Sequence, residues 1–381
     1  MSAHTNTTGQ DKARGYAGLA RQLGNMFKLH GRTAIGLELA LEKLHMVQLE
    51  PLQHPRRIRA AVSLPLPCSR ETLLAEPERL RELVREGLAR RPFVGRDVVS
   101  CLPSSEVRVM TLNYQRTSSE NDAAAIVREL RERIKTELES AVVDYIAIRS
   151  DSVDATERSA IVAVAQRERV LAYLNALRVA GLDAVALDIG PAALARLVGA
   201  LDVDEHHPNA LLINFAQDKS YMSVIWGRRL ILDREFEFCE NRLAERLCTA
   251  LDMPRETVLR LLYQRGIGTA PVAADAVAET LVEVLRPEFM TLAAEVNKTL
   301  IYTASKTRGQ SVERIYLLGS VARYPDAANL VQELVSIPVE VVNPFKAFTA
   351  RPDAAVLSEL DPIAGIGLAT GLALRGSDEH G

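Results

Sequence analysis

The stretches IGLELALEK (residues 35–43) and LLINFAQDK (residues 211–219) decide how this sequence is interpreted. Each begins with an apolar run that is typical of a buried strand. Each then enters a short turn that contains no glycine, and a second strand-like segment follows the turn. A strand–turn–strand unit in both halves of the chain indicates an internal duplication of architecture, although the halves share no visible sequence identity.

Length and composition describe a globular protein with more than one domain. The chain has 381 residues, of which 48% are hydrophobic and 25% charged, so it can bury a large core in about two or three domains. A formal charge of −3 and an aromatic content of 5% provide neither the basic field nor the stacking surface that nucleic-acid binding uses. No run reaches the roughly 18 apolar residues of a membrane span. We therefore expect no nucleic-acid partner and no direct membrane span.

The cysteines give no sign of a metal site. None of the four forms a Cys-x-x-Cys pair, and no His/Cys cluster has the spacing of zinc ligands. We expect reduced, mostly buried thiols, as in a cytosolic protein. The four are Cys68, Cys101, Cys239 and Cys248.

The first 32 residues are interpreted as a leader that is either flexible or contains a short amphipathic helix over Tyr16–Leu29. This segment lacks the apolar core of a signal peptide. Such a helix could pack on its own domain, or it could contact a membrane surface or a partner. Its apolar face would consist of Leu19, Leu23, Met26 and Phe27.

The periodicity predicts a first lobe over residues 33–207. An α+β subdomain is expected to be inserted at about 55–148, with a helix starting at Pro77, strands at 97–102 and 107–112, a helix at 121–140 and a strand at 145–148. From 159 the pattern becomes βαβα, and the unbroken apolar run Ala160–Ala165 predicts a strand that is buried on both faces.

A second lobe is predicted over residues 208–360. It begins with strands at 210–215, 221–226 and 229–233, of which the last two are joined by a tight-turn signal at Gly227. A long helix over 280–307 follows, and further strands lie at 315–319 and 339–342. A final helix over 361–375 is expected to return to the first lobe. Alternating strands and helices make this an α/β chain.

Six segments, in this order and spacing, are similar to segments of the PilM family of type IV pilus assembly proteins and of its relatives MshI and the cytoplasmic part of GspL. Each segment is weak evidence alone, but together they extend over about residues 33–375. The resemblance implies an actin-like (ribonuclease H-like) bilobal fold with an inserted subdomain in the first lobe, and ATP and Mg²⁺ between two hairpin turns. The segments are 35–39, 100–107, 181–191, 313–325, 337–345 and 365–376.

At the positions that match the family's nucleotide site, this sequence lacks most of the residue types that bind phosphate and magnesium. Glycine lets backbone N–H groups approach phosphates closely, and magnesium prefers carboxylates and hydroxyls. Here the first turn lacks the glycine and hydroxyls, and an amide replaces the acid of the second turn. We therefore predict a pseudo-ATPase with no catalytic residue and no metal ligand, and the sequence leaves open whether ATP and Mg²⁺ still bind. The degenerate site would comprise Glu38, Ala40, Lys43, Asn214, Ala216, Lys219, Gly319 and Ser320. Alternatively, Glu38, Lys43 and Lys219 form a rebuilt nucleotide site.

The resemblance also implies a partner. Family members dock the cytoplasmic tail of the inner-membrane protein PilN in a groove beside the insert, and so connect the membrane ring to the pilus motor ATPases. We expect a scaffold that is cytoplasmic and held at the inner membrane through this partner. The alternative is an active ATP-binding member of the actin superfamily, either a sugar kinase or an FtsA-like filament former. The sequence leaves the oligomeric state open. The groove residues proposed from sequence are Val98, Cys101, Val107 and Val109.

Overall fold

The computed structural model describes residues 33–51, 56–117, 119–134, 138–148, 157–201, 209–227, 229–267, 276–307, 309–348 and 363–377. The helix predicted over Tyr16–Leu29 lies outside these ranges. Within them, thirteen strands form two five-stranded sheets and one three-stranded sheet. The prediction of an α/β chain is confirmed.

The chain opens with an antiparallel meander of three strands, followed by two helices and a parallel strand. The strand β4 pairs with β1 and is almost entirely buried, as expected of a strand inside a parallel sheet. Pro77 occupies the first turn of α2, where its missing N–H costs no helical hydrogen bond. These elements are β1 (Ile35–Leu39), β2 (Lys43–Leu49), β3 (Ile58–Pro65), α1 (Arg70–Ala75), α2 (Pro77–Arg90) and β4 (Asp97–Cys101).

A three-stranded antiparallel sheet with one helix follows β4. Its strand order is β5-β7-β6, and α3 packs on one face of it. The Asn121 side chain caps α3 by accepting a hydrogen bond from the Ala124 N–H at 2.8 Å. The elements are β5 (Val107–Gln115), α3 (Asp122–Arg133), β6 (Ala141–Ile148) and β7 (Glu157–Gln166).

The inserted subdomain therefore has different bounds from those predicted at about 55–148. The strands β3 and β4 belong to the first-lobe sheet, so the turn after β4 leads out of that sheet into the insert. The apolar run Ala160–Ala165 lies in β7, the central strand of the insert. It is apolar on both faces because α3 covers one face while Ile161, on the other, is buried in a cluster between the lobes. The inserted sheet spans residues 107–166.

The chain returns from the insert to complete the first sheet. Gly181, with φ +83°, follows α4 in the left-handed conformation that glycine tolerates. The strand β8 pairs in parallel with β4, which gives the order β3-β2-β1-β4-β8. The returning elements are α4 (Arg167–Val179), β8 (Asp183–Asp188) and α5 (Gly190–Leu201).

The second lobe repeats the topology of the first. Its sheet has the order β11-β10-β9-β12-β13, in which a three-stranded meander is again extended by two parallel strands. The predicted duplication of architecture is thus confirmed. The elements are β9 (Ala210–Phe215), β10 (Ser220–Trp226), β11 (Arg229–Phe236), α6 (Glu240–Leu251), α7 (Arg255–Arg265), α8 (Ala276–Lys306), β12 (Arg314–Gly319), α9 (Ala327–Val335) and β13 (Val339–Val341).

A last helix, α10 (Gly367–Ser377), lies against α5 and against β1, β2 and β4. Small residues permit this close packing. A Cβ on Gly371 would lie 2.1 Å from the Ala193 carbonyl oxygen, and a Cβ on Gly36 would lie 2.0 Å from the Ala369 oxygen. An apolar cluster that includes Leu49 of the first sheet, Leu212 of the second and Ala369 of α10 connects the lobes.

Two further features bear on the sequence predictions. Among the described residues, no helix combines the length and apolar character needed to cross a membrane. All four cysteines lie in this part of the chain and are free thiols, of which Cys101 and Cys239 are buried.

Candidate functional site

The first hairpin places Glu38 and His45 opposite each other across β1 and β2. The Oε2 atom of Glu38 and the Nδ1 atom of His45 are buried and have no hydrogen-bond partner among the described residues. Burial raises the pKa of Glu38 to about 8. Burial, assisted by the charge of Lys43, lowers the pKa of His45 to about 4. Both side chains are therefore mainly uncharged at pH 7.

The pair belongs to a polar row that crosses the first sheet. Ser63 of β3 is opposite His45, and Cys101 of β4 is opposite Asp188 of β8. Glu38 lies one residue beyond the last paired position of β1 with β4. Burial, with the nearby Glu38 and Asp188 carboxyls, raises the pKa of the Cys101 thiol well above its usual value. The row therefore contains little charge that is available to a ligand.

Asp188 is the one carboxylate of the row with ion-pair partners, and both partners are arginines of the central helices. Arg196 of α5 lies 2.5 Å from its Oδ2, and Arg375 of α10 lies 3.0 Å from its Oδ1. The Asp188 side chain also accepts a hydrogen bond from the Ile189 N–H. This carboxylate thus connects β8 to both helices and is not free to order a metal-bound water.

The turn of the first hairpin offers an apolar tip. The Ala40 N–H donates to the Lys43 carbonyl at 3.0 Å, and the Glu42 carbonyl accepts from the Leu66 N–H at 2.8 Å. Leu41, at the tip, is 54% exposed. Of the predicted residues here, Ala40 closes the turn with its backbone, while Lys43 begins β2 and is partly exposed.

The second hairpin turn is bonded to the start of α6. The Ala216 and Gln217 carbonyls accept hydrogen bonds from the Glu240 and Asn241 N–H groups at 3.3 and 3.0 Å. The N–H groups at a helix N-terminus are the usual donors to a phosphate. Two of them are already used here. Asn214, at the end of β9, is partly exposed.

Lys219 is half-exposed and forms an ion pair with Glu235 of β11 at 2.9 Å. The hydrogen bond to Glu235 and its charge raise the pKa of Lys219. A rebuilt nucleotide site that includes Lys219 would have to compete with this pair. Because the pair is exposed, its own contribution to stability is small.

Gly319 and Ser320 serve the packing of the second sheet. Gly319 has φ +91°, and a Cβ at this position would lie 1.9 Å from the Phe215 carbonyl oxygen. The Ser320 N–H donates to the same oxygen at 2.9 Å. The glycine is therefore required by the approach of β12 to β9, whether or not a nucleotide binds.

A cluster that the sequence analysis missed lies beside these two residues. Glu240, at the start of α6, is buried and accepts hydrogen bonds on Oε1 from the hydroxyls of Tyr263 and Tyr324 at 2.6 and 2.7 Å. The Arg323 guanidinium stacks 4.8 Å from the centre of the Tyr263 ring. These side chains fill the space between α6, α7 and the loop after β12. Because these residues come together only in the tertiary fold, no spacing of residues in the sequence predicts the cluster.

The four groove residues proposed from sequence do not form one exposed surface. Val98 and Cys101 are buried in the first lobe, and this part of the prediction is wrong because β4 is an inner strand. Val107 packs on the first-lobe core, and Val109 packs on the cluster between the lobes.

Exposed apolar side chains lie instead along β6, an edge strand of the inserted sheet, and on the neighbouring helix α4. Val142 and Ile146 point away from α3 and are 41% and 42% exposed. Leu171 of α4 is 55% exposed. We call these three residues and the edge of β6 that pairs with no described strand the β6 surface.

The whole described fold matches one family. The family model for the type IV pilus assembly protein PilM matches residues 36–377. The chain belongs to the PilM family. A solved PilM–PilN type IV pilus biogenesis complex is similar with a TM-score of 0.71 and 23% identity, over 91% of this chain and 99% of that chain. This likeness shows the same bilobal, actin-like fold for the present PilM family member.

More distant similarities extend to other proteins. The ethanolamine utilization protein EutJ from Carboxydothermus hydrogenoformans has a TM-score of 0.49 and 13% identity, over 96% of this chain and 98% of that chain. MreB 5 of Spiroplasma citri bound to AMPPNP has a TM-score of 0.45 and 10% identity, over 90% of this chain and 99% of that chain.

Several candidate nucleotide-site residues of this PilM family member are buried or already bonded to other groups of the protein. Glu38, two residues before Ala40 of the first turn, is mostly protonated at pH 7 because burial raises its pKa to about 8, and a neutral carboxyl is a weak ligand for magnesium. Glu42, within the turn, is exposed. The described residues contain no group of three or more His, Cys, Asp or Glu side chains that could hold a metal ion. The second turn has its carbonyls bonded to α6 and its lysine paired with Glu235.

Proposed function

We propose that this chain is a cytoplasmic scaffold of a type IV pilus or related assembly system. In this proposal it docks the cytoplasmic tail of a PilN-like inner-membrane protein, is held at the membrane through that tail, and passes the connection on to the motor ATPases. Membership of the PilM family supports the proposal, as does the likeness to a solved PilM–PilN complex. The observation that carries it is the β6 surface, because β6 has no second neighbouring strand among the described residues and lies beside exposed apolar side chains.

The β6 surface suits an extended peptide. An edge strand presents free backbone N–H and C=O groups, to which a peptide can add as a further strand. Val142 and Ile146, which are four residues apart, share one face of β6 and could accept apolar side chains of the tail. Asp144, also exposed and between them, would favour a basic residue at the facing position.

Titration calorimetry with a synthetic peptide of the partner's cytoplasmic tail tests the docking site. We expect Ile146→Lys and Leu171→Lys each to weaken binding at least about tenfold, since each places a charge in an apolar contact. Met253→Lys is the matched control, because Met253 is also an exposed apolar residue but lies in the second lobe. Unchanged affinity in both β6-surface variants would refute this site, and absence of binding by the wild-type protein would refute the scaffold proposal.

We also propose that this member is a pseudo-ATPase. Its support is the mostly protonated Glu38, the occupied N–H groups of α6 and the ion pair of Lys219. Losing several phosphate contacts, each worth roughly 1–3 kcal/mol, would place nucleotide affinity beyond cellular ATP concentrations. Calorimetry with ATP and Mg²⁺ is expected to show no binding. A dissociation constant in the low micromolar range would favour the active ATP-binding alternative.

A further inference from the structure

Arg70, the first residue of α1, is the one lysine or arginine that is buried among the described residues. Its Nε donates a hydrogen bond to the Leu39 carbonyl at 3.2 Å, and its Nη1 forms an ion pair with Glu106. The guanidinium also lies over the Tyr173 ring, 5.6 Å from its centre. A buried charge is costly unless it is paired and hydrogen-bonded, so these partners hold the Arg70 side chain in one position.

The partners of Arg70 belong to the segments through which the chain enters and leaves the inserted sheet. Glu106 directly precedes β5, and its N–H closes the turn after β4 by donating to the Pro103 carbonyl at 2.9 Å. Tyr173 lies in α4, the helix that directly follows β7. Leu39 is the last residue of β1 in the first-lobe sheet. Arg70 therefore connects the first-lobe sheet to both ends of the insert.

A second set of hydrogen bonds holds α4 on the same sheet. The Ser100 hydroxyl of β4 donates to the Leu37 carbonyl at 2.7 Å. Because its proton is used in this way, Ser100 accepts from the Tyr173 hydroxyl, which lies 2.7 Å from the Ser100 oxygen. Both side chains are buried. We call Arg70, Glu106, Ser100 and Tyr173 the Arg70 network.

The β6 surface is built from two elements that the Arg70 network holds together. Val142 and Ile146 lie on the inserted sheet, whereas Leu171 lies on α4, two residues before Tyr173. The separation of these apolar side chains therefore depends on how the insert lies against α4. Arg70 is bonded to none of the three and is too buried to contact a peptide on this surface.

We propose that Arg70 is a positioning residue for partner docking, which fixes the insert relative to α4 and so keeps the two parts of the β6 surface at the separation that the tail requires. This inference rests on the docking function proposed above. A surface that has its binding shape before the peptide arrives loses less conformational entropy on binding. Loss of Arg70 therefore weakens binding although no contact with the peptide is removed.

Titration calorimetry with the tail peptide tests this role. Arg70→Met, which removes the guanidinium and keeps an unbranched side chain, is expected to bind the peptide about tenfold more weakly than the wild type. Glu106→Gln removes the ion pair with less loss of packing, and we expect binding about threefold weaker. Circular dichroism melts set a temperature at which every variant is folded. Wild-type affinity in both variants would overturn the proposal.

Arg234→Met is the matched control for these measurements. Arg234 also forms an ion pair with a glutamate, Glu295, but this pair joins β11 to α8 in the second lobe. We expect its peptide affinity to equal that of the wild type. An equal loss of affinity in Arg234→Met and Arg70→Met would show a general effect of lost stability, and would also overturn the proposal.

Hydrogen exchange without peptide separates this inference from the docking function. In Arg70→Met, the amides of the turn after β4 and of α4 are expected to exchange at least about fivefold faster than in the wild type, while those of β9 and β10 keep their rates. Unchanged exchange, or a uniform increase over the whole chain, would overturn the role of Arg70. Failure of the wild-type protein to bind the peptide would instead refute the docking function itself.

Discussion

Glu38 and His45 are direct cross-strand partners, and each has one buried polar atom that no described residue satisfies. Their pKa values shift in opposite directions, because burial disfavours the charged form of an acid and of a base alike. The first hairpin therefore carries a neutral pair at pH 7. This pair gives the pH dependence of stability two components of opposite sign.

The variant Glu38→Gln isolates the first component. A folded-state pKa of about 8 against an ordinary value of 4.5 means that the folded protein holds this proton more tightly. Stability from this group is therefore present below pH 4.5 and is lost as pH rises towards 8. Between pH 5 and 8 we expect the wild type to lose about 3 kcal/mol more than Glu38→Gln in urea unfolding. The control Glu42→Gln, in the exposed turn, should follow the wild type, and parallel curves for wild type and Glu38→Gln would contradict the assignment.

The variant His45→Gln isolates the second component. The pKa of His45 falls from 6.5 to about 4 in the folded protein, so the unfolded chain binds more protons between these values. Stability from this group is present above pH 6.5 and is lost as pH falls towards 4. Over that range we expect the wild type to lose about 3 kcal/mol more than the variant. A difference of constant size from pH 4 to 7 would show that His45 ionises normally.

Gly36→Ala tests the contact between β1 and α10. The added methyl group would lie 2.0 Å from the Ala369 carbonyl oxygen and 2.4 Å from the Ala373 nitrogen. Backbone atoms of a packed helix cannot move aside cheaply, so we expect a loss of more than about 3 kcal/mol in denaturant unfolding. Gly190→Ala is the matched control, because its nearest neighbour, a side-chain carbon of Leu368, lies 4.0 Å away. Similar stability of the two variants would contradict the close packing.

Tyr263→Phe and Tyr324→Phe test the buried Glu240 cluster. Each hydroxyl donates to the same Glu240 oxygen, so either single variant leaves one donor and should cost about 1–2 kcal/mol. The double variant removes both donors from a buried carboxyl. We therefore expect its cost to exceed the sum of the single costs in a double-mutant cycle. Simple additivity would mean that the two tyrosines act independently.

Much of the fold was predictable because strand and helix periodicity is local. The apolar runs at 35–39 and 211–215 predicted the first strand of each meander. The apolar run at 160–165 predicted a strand that is covered on both faces. The strand β3 was missed because prolines and polar residues precede it. The bounds of the insert were misplaced because the sequence does not state which sheet a strand joins.

The candidate site was less predictable. The family resemblance located the two hairpins, but protonation of Glu38 depends on burial, which only the packed structure shows. Similarly, nothing in the sequence shows that Lys219 has a partner, whereas in the structure it forms an ion pair with Glu235 of β11. Val98 was placed in a groove because an apolar strand residue has the same sequence signature on an inner strand as on an edge strand.

The packing of α10 on β1, β2 and β4 imposes an order on biosynthesis. The ribosome makes the strands of the first sheet before the second lobe, but it makes α10, which covers one side of that sheet, after the second-lobe strands. All the described strands of the second lobe lie within residues 210–341 and are therefore made before α10. Although it is encoded second, the second lobe can therefore complete its fold before α10 covers the first sheet.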